Sequence, residues 1–191
     1  ASCELAWLPL PGLPLGYAAL DPHAVNTKLV LTELSQETPT MTLDIASTAF
    51  LAQSALSGAP SLHEVSPEEA RVMYTGMAAL SHEGPAMANI EEVSIPTTDG
   101  DAIRAHVLTP HGTHKSVLVY YHGGGWVIGS IDDYLTVGRH LAARCQSVVV
   151  LAGYRLAPEH RYPTAPNDCW DALNWVDKHM DKLAGQRLPL I

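Results

Sequence analysis

Positive charge is scarce in this sequence: 11 Lys and Arg stand against 20 Asp and Glu over 191 residues, a formal net charge of −9. Nucleic acids and anionic membrane surfaces are held by clustered Lys and Arg, so this balance weighs against both. Long apolar runs are also missing. No stretch of 18 or more apolar residues occurs, and the longest uncharged segments, Leu5 to Leu20 and Ile45 to His63, are broken by Pro, Gly, Ser and Gln. A membrane-spanning helix is not expected. The three cysteines, Cys3, Cys145 and Cys169, are odd in number and form no C-x-x-C pair, as expected of thiols in a reducing compartment. No Lys or Arg precedes Lys28, and Pro9, Pro11 and Pro14 interrupt the first apolar segment, so a secretory signal reads poorly and the cytoplasm is the expected location.

Hydrophobic residues at 47% and charged residues at 16% describe an ordinary globular chain. A chain of this length removes roughly 70% of its unfolded surface on folding, enough for a real core. Residues 1–40, rich in Leu, Pro and Thr, show no sustained period and read as an extension; the sequence opens at Ala1, and Met41 reads as a native start. From there the pattern sharpens into a helical region, residues 41–88. Ile45, Ala49, Ala52 and Leu56 recur at helical spacing until Gly58 and Pro60. A second helix opens on Ser66 as N-cap, Pro67 and Glu69, a capping box, with Val72, Met73, Met77 and Leu80 as its apolar residues and Gly84-Pro85 at its end. One-sided faces of this kind are expected to lie on something larger.

Residues 90–97 and 102–109 read as strands joined by a turn containing Asp99-Gly100, a hairpin signal. The apolar runs Ser116–Tyr121 and Ser147–Ala152 follow, separated by a helix over Asp133 to Arg144. A longer helix, Pro166 to Leu183, is closed by Gly185, and Leu188-Pro189-Leu190-Ile191 reads as the opening of another strand. Runs apolar at both alternate and intervening positions are how strands covered on both faces by helices read. With right-handed crossovers, residues 89–191 give an α/β fold with a doubly wound, mostly parallel sheet.

The segment most expressive of chemistry is His122-Gly123-Gly124-Gly125-Trp126, directly after the strand ending at Tyr121. Consecutive glycines let backbone N–H groups face a cleft in conformations other residues avoid. That arrangement suits an oxyanion hole, where N–H donors meet a developing negative charge. His122 is then expected to orient the loop and Trp126 to wall the pocket. A dinucleotide fingerprint fails, because Gly129 falls one residue late for G-x-G-x-x-G. No G-K-[ST] is present, and His63-Glu64 and His82-Glu83 both lack the second His of H-E-x-x-H. With His111 and His114 in a loop, neither a metal site nor a cofactor is expected.

A second segment, Tyr154-Arg155-Leu156-Ala157-Pro158-Glu159-His160, follows one strand–helix–strand unit later. With both segments and the Ser66-Pro67-Glu68-Glu69 helix start, the chain from about Leu43 to Ile191 resembles the hormone-sensitive-lipase family of α/β-hydrolases, the bacterial-type carboxylesterases. The resemblance implies that the Gly124 and Gly125 amides bind the oxyanion, with His122 and Gly123 shaping the loop. It also implies an N-terminal helical cap over an acyl pocket, and short- to medium-chain acyl esters as substrates. Arg155 and Glu159 are expected to form a charge pair that fixes a loop beside the site. Gly153 departs from the family, which usually has an acidic residue there, and this leaves Arg155 in want of a partner.

Such a hydrolase also needs a serine on a G-x-S-x-G turn, an acid and a histidine. None of the 191 residues forms that turn: Ser57 and Ser130 lack the flanking pattern, and Cys145 and Cys169 have no flanking glycines. The sequence therefore reads as the N-terminal portion of a serine carboxylesterase, inactive alone. The remaining C-terminal part, as continuation or separate chain, is expected to pair beside Ser116–Tyr121. Relatives dimerise, so a homodimer is a further partner the resemblance implies. The same fold also includes non-catalytic ligand-binding homologues that keep the Gly-rich loop, and this alternative stays open, as does a truncated product without function.

Overall fold

The computed structural model describes residues 43–191, and the expectations for residues 1–40 and for Met41 lie outside the described residues. The chain divides into two compact units after Ser57. From the first, helix α1 (Ile45–Leu56) is described; Asp44 caps it by accepting from the Ala46 and Ser47 amides at 2.9 and 3.0 Å. Its periodic face is not covered: no residue of α1 is buried among the described residues, and Ile45 is 91% exposed.

The second unit, Gly58–Ile191, opens with α2 (Pro67–Ala78). Its capping box is complete, with the Glu69 amide donating to Ser66 Oγ at 3.2 Å and the Ser66 amide to Glu69 Oε2 at 2.9 Å. The apolar period misjudged the inward face of this helix. Val72, Met77 and Leu80 are exposed, whereas Ala70 is buried and Arg71 and Tyr74 turn inward to polar partners.

Strands β1 (Asn89–Pro96) and β2 (Ala102–Thr109) form the expected hairpin, with Pro96 opposite Ala102 and Gly100 at φ +91° in the turn. Strand β3 (Ser116–Tyr121), helix α3 (Leu135–Cys145), strand β4 (Ser147–Gly153) and helix α4 (Thr164–Ala184) follow. Gln146 and Gly185 end the two helices in the left-handed conformation. The sheet is ordered β1-β2-β4-β3 and is mixed: β2 runs antiparallel to both β1 and β4, while β3 and β4 are parallel. On the other side of β3 from β4, residues 189–191 pair with it in parallel. The Val117 amide donates to the Pro189 carbonyl, and Ile191 and Val117 complete the exchange, each bond 2.9 Å.

Strand alternation divides the core between two faces. Val117, Val148, Val150 and Ala152 pack with Ala172, Val176 and Met180 of α4. Val149, Leu151 and Leu108 pack with Ala142 of α3 and with Ile131. Helices on both faces explain why β4 is apolar at every position from Val148 to Ala152. Each such Val or Leu buried contributes about 1.5–3 kcal/mol. No helix among the described residues is long and apolar enough to cross a membrane. For the site, the decisive consequence is directional: β3 and β4 are parallel, so the loops after Tyr121 and Gly153 leave the sheet at the same end.

Candidate active site

The loop after β3 turns through left-handed backbone at Gly124 (φ +128°), Gly125 (+60°) and Trp126 (+61°). Its turn closes on the Gly124 carbonyl, which accepts from the Val127 and Ile128 amides at 3.1 and 3.0 Å. A Cβ on Gly124 would stand 1.9 Å from the Ile128 carbonyl oxygen, so only glycine fits; at Gly125 the corresponding space is open. Among the described residues no group accepts a hydrogen bond from the Gly124 or Gly125 amide. Successive amides in such backbone make a concave donor surface suited to an anionic oxygen. Trp126 is 63% exposed. Two cavities, of about 430 and 280 Å³, adjoin the far side of the loop at Gly129, Ser130 and Tyr154; neither is lined by Gly124, Gly125 or Trp126.

Behind the glycines sits His122, buried between the rings of Tyr154 and Tyr134, with centroids 4.4 and 5.5 Å away. Its Nδ1 lies 2.8 Å from the Gly123 carbonyl and therefore carries the proton, since a carbonyl only accepts. Burial lowers its pKa against the opposing pull of that carbonyl, which favours the neutral ring. Tyr154 donates to the His122 carbonyl at 2.6 Å, and burial pushes the phenol up to about 12. Gly129, whose spacing spoke only against a dinucleotide site, belongs to this packing. A Cβ there would meet the Gly123 carbonyl oxygen and His122 Nδ1, each at 2.8 Å.

The loop after β4 is fixed by two separate ion-pair systems, and the expected Arg155–Glu159 pair is not formed. Arg155 instead binds fully buried Asp168 of α4, with Nη2–Oδ1 at 2.6 Å and Nε–Oδ2 at 2.9 Å, and reaches Asp99 and Asp101 of the hairpin. Gly153 stands opposite Arg104 in the β2–β4 ladder, where a Cβ would approach the Arg104 carbonyl oxygen to 2.8 Å. The partners of Arg155 thus come from α4 and the hairpin. Glu159 pairs with Arg71 of α2, whose guanidinium holds the carboxyl at about 2, well below the usual range. Arg71, Tyr134 and Asp168 had no assigned role from sequence. For Arg71, the available sign was a lone cation on the Ala70–Tyr74 side of a capped helix.

Cys169 is no candidate thiolate, because burial pushes it up to about 11. No described serine hydroxyl hydrogen-bonds a histidine, and no described His, Cys, Asp and Glu cluster is placed to hold a metal ion. What the arrangement offers chemically is two unpaired backbone donors on a loop braced by buried aromatic and ionic contacts.

A family model described as the alpha/beta hydrolase fold matches residues 118–190, which hold both loops. The chain is 32% identical over 137 residues to the ethyl acetate hydrolase of Pseudomonas putida, covering 68% of this chain and 43% of that protein. It is 49% identical over 69 residues to carboxylesterase NlhH of Mycobacterium tuberculosis, covering 36% and 22%. Among solved structures, a hyperthermophilic esterase from the archaeon Pyrobaculum calidifontis superposes with a TM-score of 0.69 at 33% identity, over 75% of this chain and 46% of that one. The chain thus spans less than half the length of these relatives.

Proposed function

From the premise that this chain belongs to the α/β-hydrolases of the hormone-sensitive-lipase type, we propose that it serves a serine carboxylesterase acting on short- to medium-chain acyl esters in the cytoplasm. In this reading the Gly124 and Gly125 amides hold the oxyanion of the tetrahedral intermediate, while His122 and Gly123 shape their loop and Trp126 walls the pocket. Residues 41–88 contribute helices to a cap. The serine, its acid and its histidine come from the remaining part of the hydrolase, joined through the strand that begins at residues 189–191 beside β3. No cofactor takes part, and the assembled enzyme forms homodimers.

The observation that carries the proposal is the pair of unpaired amides at Gly124 and Gly125, on a loop that tolerates no side chain at Gly124. One such donor contributes about 2.7–4 kcal/mol to acyl transfer. It does so only where a nucleophile attacks the carbonyl, so the donors and the serine are complementary halves of one site. The test compares the 191-residue chain with the same chain extended through a G-x-S-x-G turn, acid and histidine. Hydrolysis of p-nitrophenyl butyrate and labelling by a fluorophosphonate probe are expected of the extended protein only. A labelled species at 20.5 kDa would overturn the division of labour. A folded extended protein that neither turns over nor labels favours a ligand-binding homologue instead.

A further inference from the structure

The loop bearing the two amides holds one residue, Trp126, in a conformation that its side chain does not favour. Trp126 sits at φ +61°, a conformation that residues other than glycine rarely adopt and keep only where their surroundings fix it. Two bonds from outside the loop bracket this residue. The Trp126 carbonyl accepts from the Ala157 amide at 2.8 Å, and the Val127 carbonyl accepts from Arg71 Nε at 2.8 Å. The same guanidinium reaches the Ala157 carbonyl through Nη2 and takes Glu159 through both terminal nitrogens, each contact 2.8 Å. One planar fork thus spans three segments: α2, the loop after β3 and the loop after β4. Its geometry suits Arg and not Lys, whose single ammonium cannot address two carbonyls and a carboxylate in one plane. α2 is bound to the same neighbourhood a second time, where the Tyr74 hydroxyl meets that of Tyr134 at 2.6 Å and Tyr134 stacks on His122.

We infer that Arg71 is a positioning residue through which α2 sets the aim of the oxyanion-binding amides. The inference rests on the assignment of Gly124 and Gly125 to that role. When the fork is in place, the Val127 and Ala157 carbonyls are both fixed, and Trp126 is pinned between them in its left-handed conformation. When α2 withdraws Arg71, one of the two brackets is lost and the Gly125–Trp126 peptide is free to relax, turning the adjoining donors away. The cap-side helix and the catalytic loop are then one mechanical unit rather than lid and floor.

The test has one arm that needs no turnover. In the full 191-residue chain labelled with ¹⁵N, Arg71→Met is expected to move the amide resonances of Gly124, Gly125 and Trp126 and to speed hydrogen exchange at Val127 and Ile128. Amides of β4 and α4, such as Val150 and Ala172, stay in place. Arg71→Lys should move the same loop resonances, with no rescue. If Arg71→Met does not fold, Glu159→Gln decides, because it weakens the same fork with no loss of volume and should move the same amides by less. Unmoved loop resonances in a folded variant would overturn the inference. The second arm measures the nucleophile-bearing protein, where Arg71→Lys is expected to lower kcat about tenfold with KM within about twofold. A variant that lowers only the melting temperature, with kcat intact, shows Arg71 to be a tie and no more. Should the unmutated protein lack esterase activity, the functional reading fails, while the resonance arm still reports on the coupling.

Discussion

Adjacent glycines in the same loop should respond very differently to one added methyl group. At Gly124 the new Cβ would lie 1.9 Å from the Ile128 carbonyl oxygen and 2.7 Å from its carbon, against a floor near 3.0 Å for real Cβ contacts. The Ile128 backbone would have to retreat by about 1.1 Å, and both bonds that close the turn on the Gly124 carbonyl lie in its path. A φ of +128° adds strain for any L residue. A misplacement of about 1 Å costs on the order of 10²-fold, and loss of one oxyanion donor about 10²–10³-fold. Gly124→Ala is therefore expected to lower kcat by about 10²–10³-fold on p-nitrophenyl butyrate in the nucleophile-bearing protein, with KM nearly unchanged.

At Gly125 the same methyl meets nothing within 4 Å, and φ +60° is a left-handed conformation costing about 1–2 kcal/mol to an L residue. Most of that cost falls on stability, so Gly125→Ala should lose less than about tenfold in kcat. Far-ultraviolet circular dichroism and urea midpoints establish that both variants remain folded. Equal losses at the two positions, or the larger loss at Gly125, would refute the assignment of the turn geometry as the source of donor alignment.

Two further outcomes follow from the ion pairs. Asp168→Ala leaves Arg155, only 14% exposed, without its buried partner and should destabilise the fold by about 3–5 kcal/mol, while Asp99→Asn and Asp101→Asn, at exposed and solvent-screened sites, should cost far less; urea unfolding followed by tryptophan fluorescence that finds the three alike would sink this ranking. Glu159 is held at about 2 by Arg71 against an ordinary value of 4.5, so its tie is fully present above about pH 4.5 and is lost as pH falls toward 2. Chemical shifts of Trp126 and Val127 should track that acid limb, and Glu159→Gln should flatten it; an unaltered limb in the variant would assign it elsewhere, for example to Asp99, which the Thr97 hydroxyl and Arg155 also hold at about 2.

The elements that were legible in sequence are those whose cause is local or periodic. Val148–Ala152 reads as a doubly covered strand because both of its faces are apolar, and it packs against α3 and α4 on opposite sides. Ser66 and Glu69 announce the start of α2 with their own side chains, and Gly185 announces the end of α4. The glycine triplet could be read as a donor loop because few other backbones need three glycines in a row. The same local rules point the wrong face of α2 inward, because the apolar spacing of Val72, Met73, Met77 and Leu80 gives no weight to Arg71. No period encodes a guanidinium that serves carbonyls 56 and 86 residues away. Such a contact is dictated by two irregular loops whose carbonyls find no strand partner, and that demand exists only once the sheet has brought the loops together. Gly129 escaped for a related reason: its need for a missing side chain arises from Gly123 and His122 folding back over it.

The departure at Gly153 shows how this demand is met when one solution is closed off. A carboxylate at that position would balance Arg155 from the end of β4, but the β2–β4 ladder brings the Arg104 carbonyl to 2.8 Å of where its Cβ would be. Charge balance for Arg155 comes instead from Asp168, which also accepts from the Arg155 amide at 2.9 Å, and from the two hairpin aspartates. The substitute couples more of the molecule than an in-strand acid would, since it joins the β1–β2 turn, the loop after β4 and the first half of α4 through one side chain. Asp171, one turn further along α4, adds a second tie by accepting from the Thr98 amide at 2.8 Å. The loop is thus anchored by the hairpin and the helix that flank it. The hairpin turn at 97–101 is therefore part of the support of the loop after β4, the same loop that holds the Trp126 carbonyl and receives Arg71.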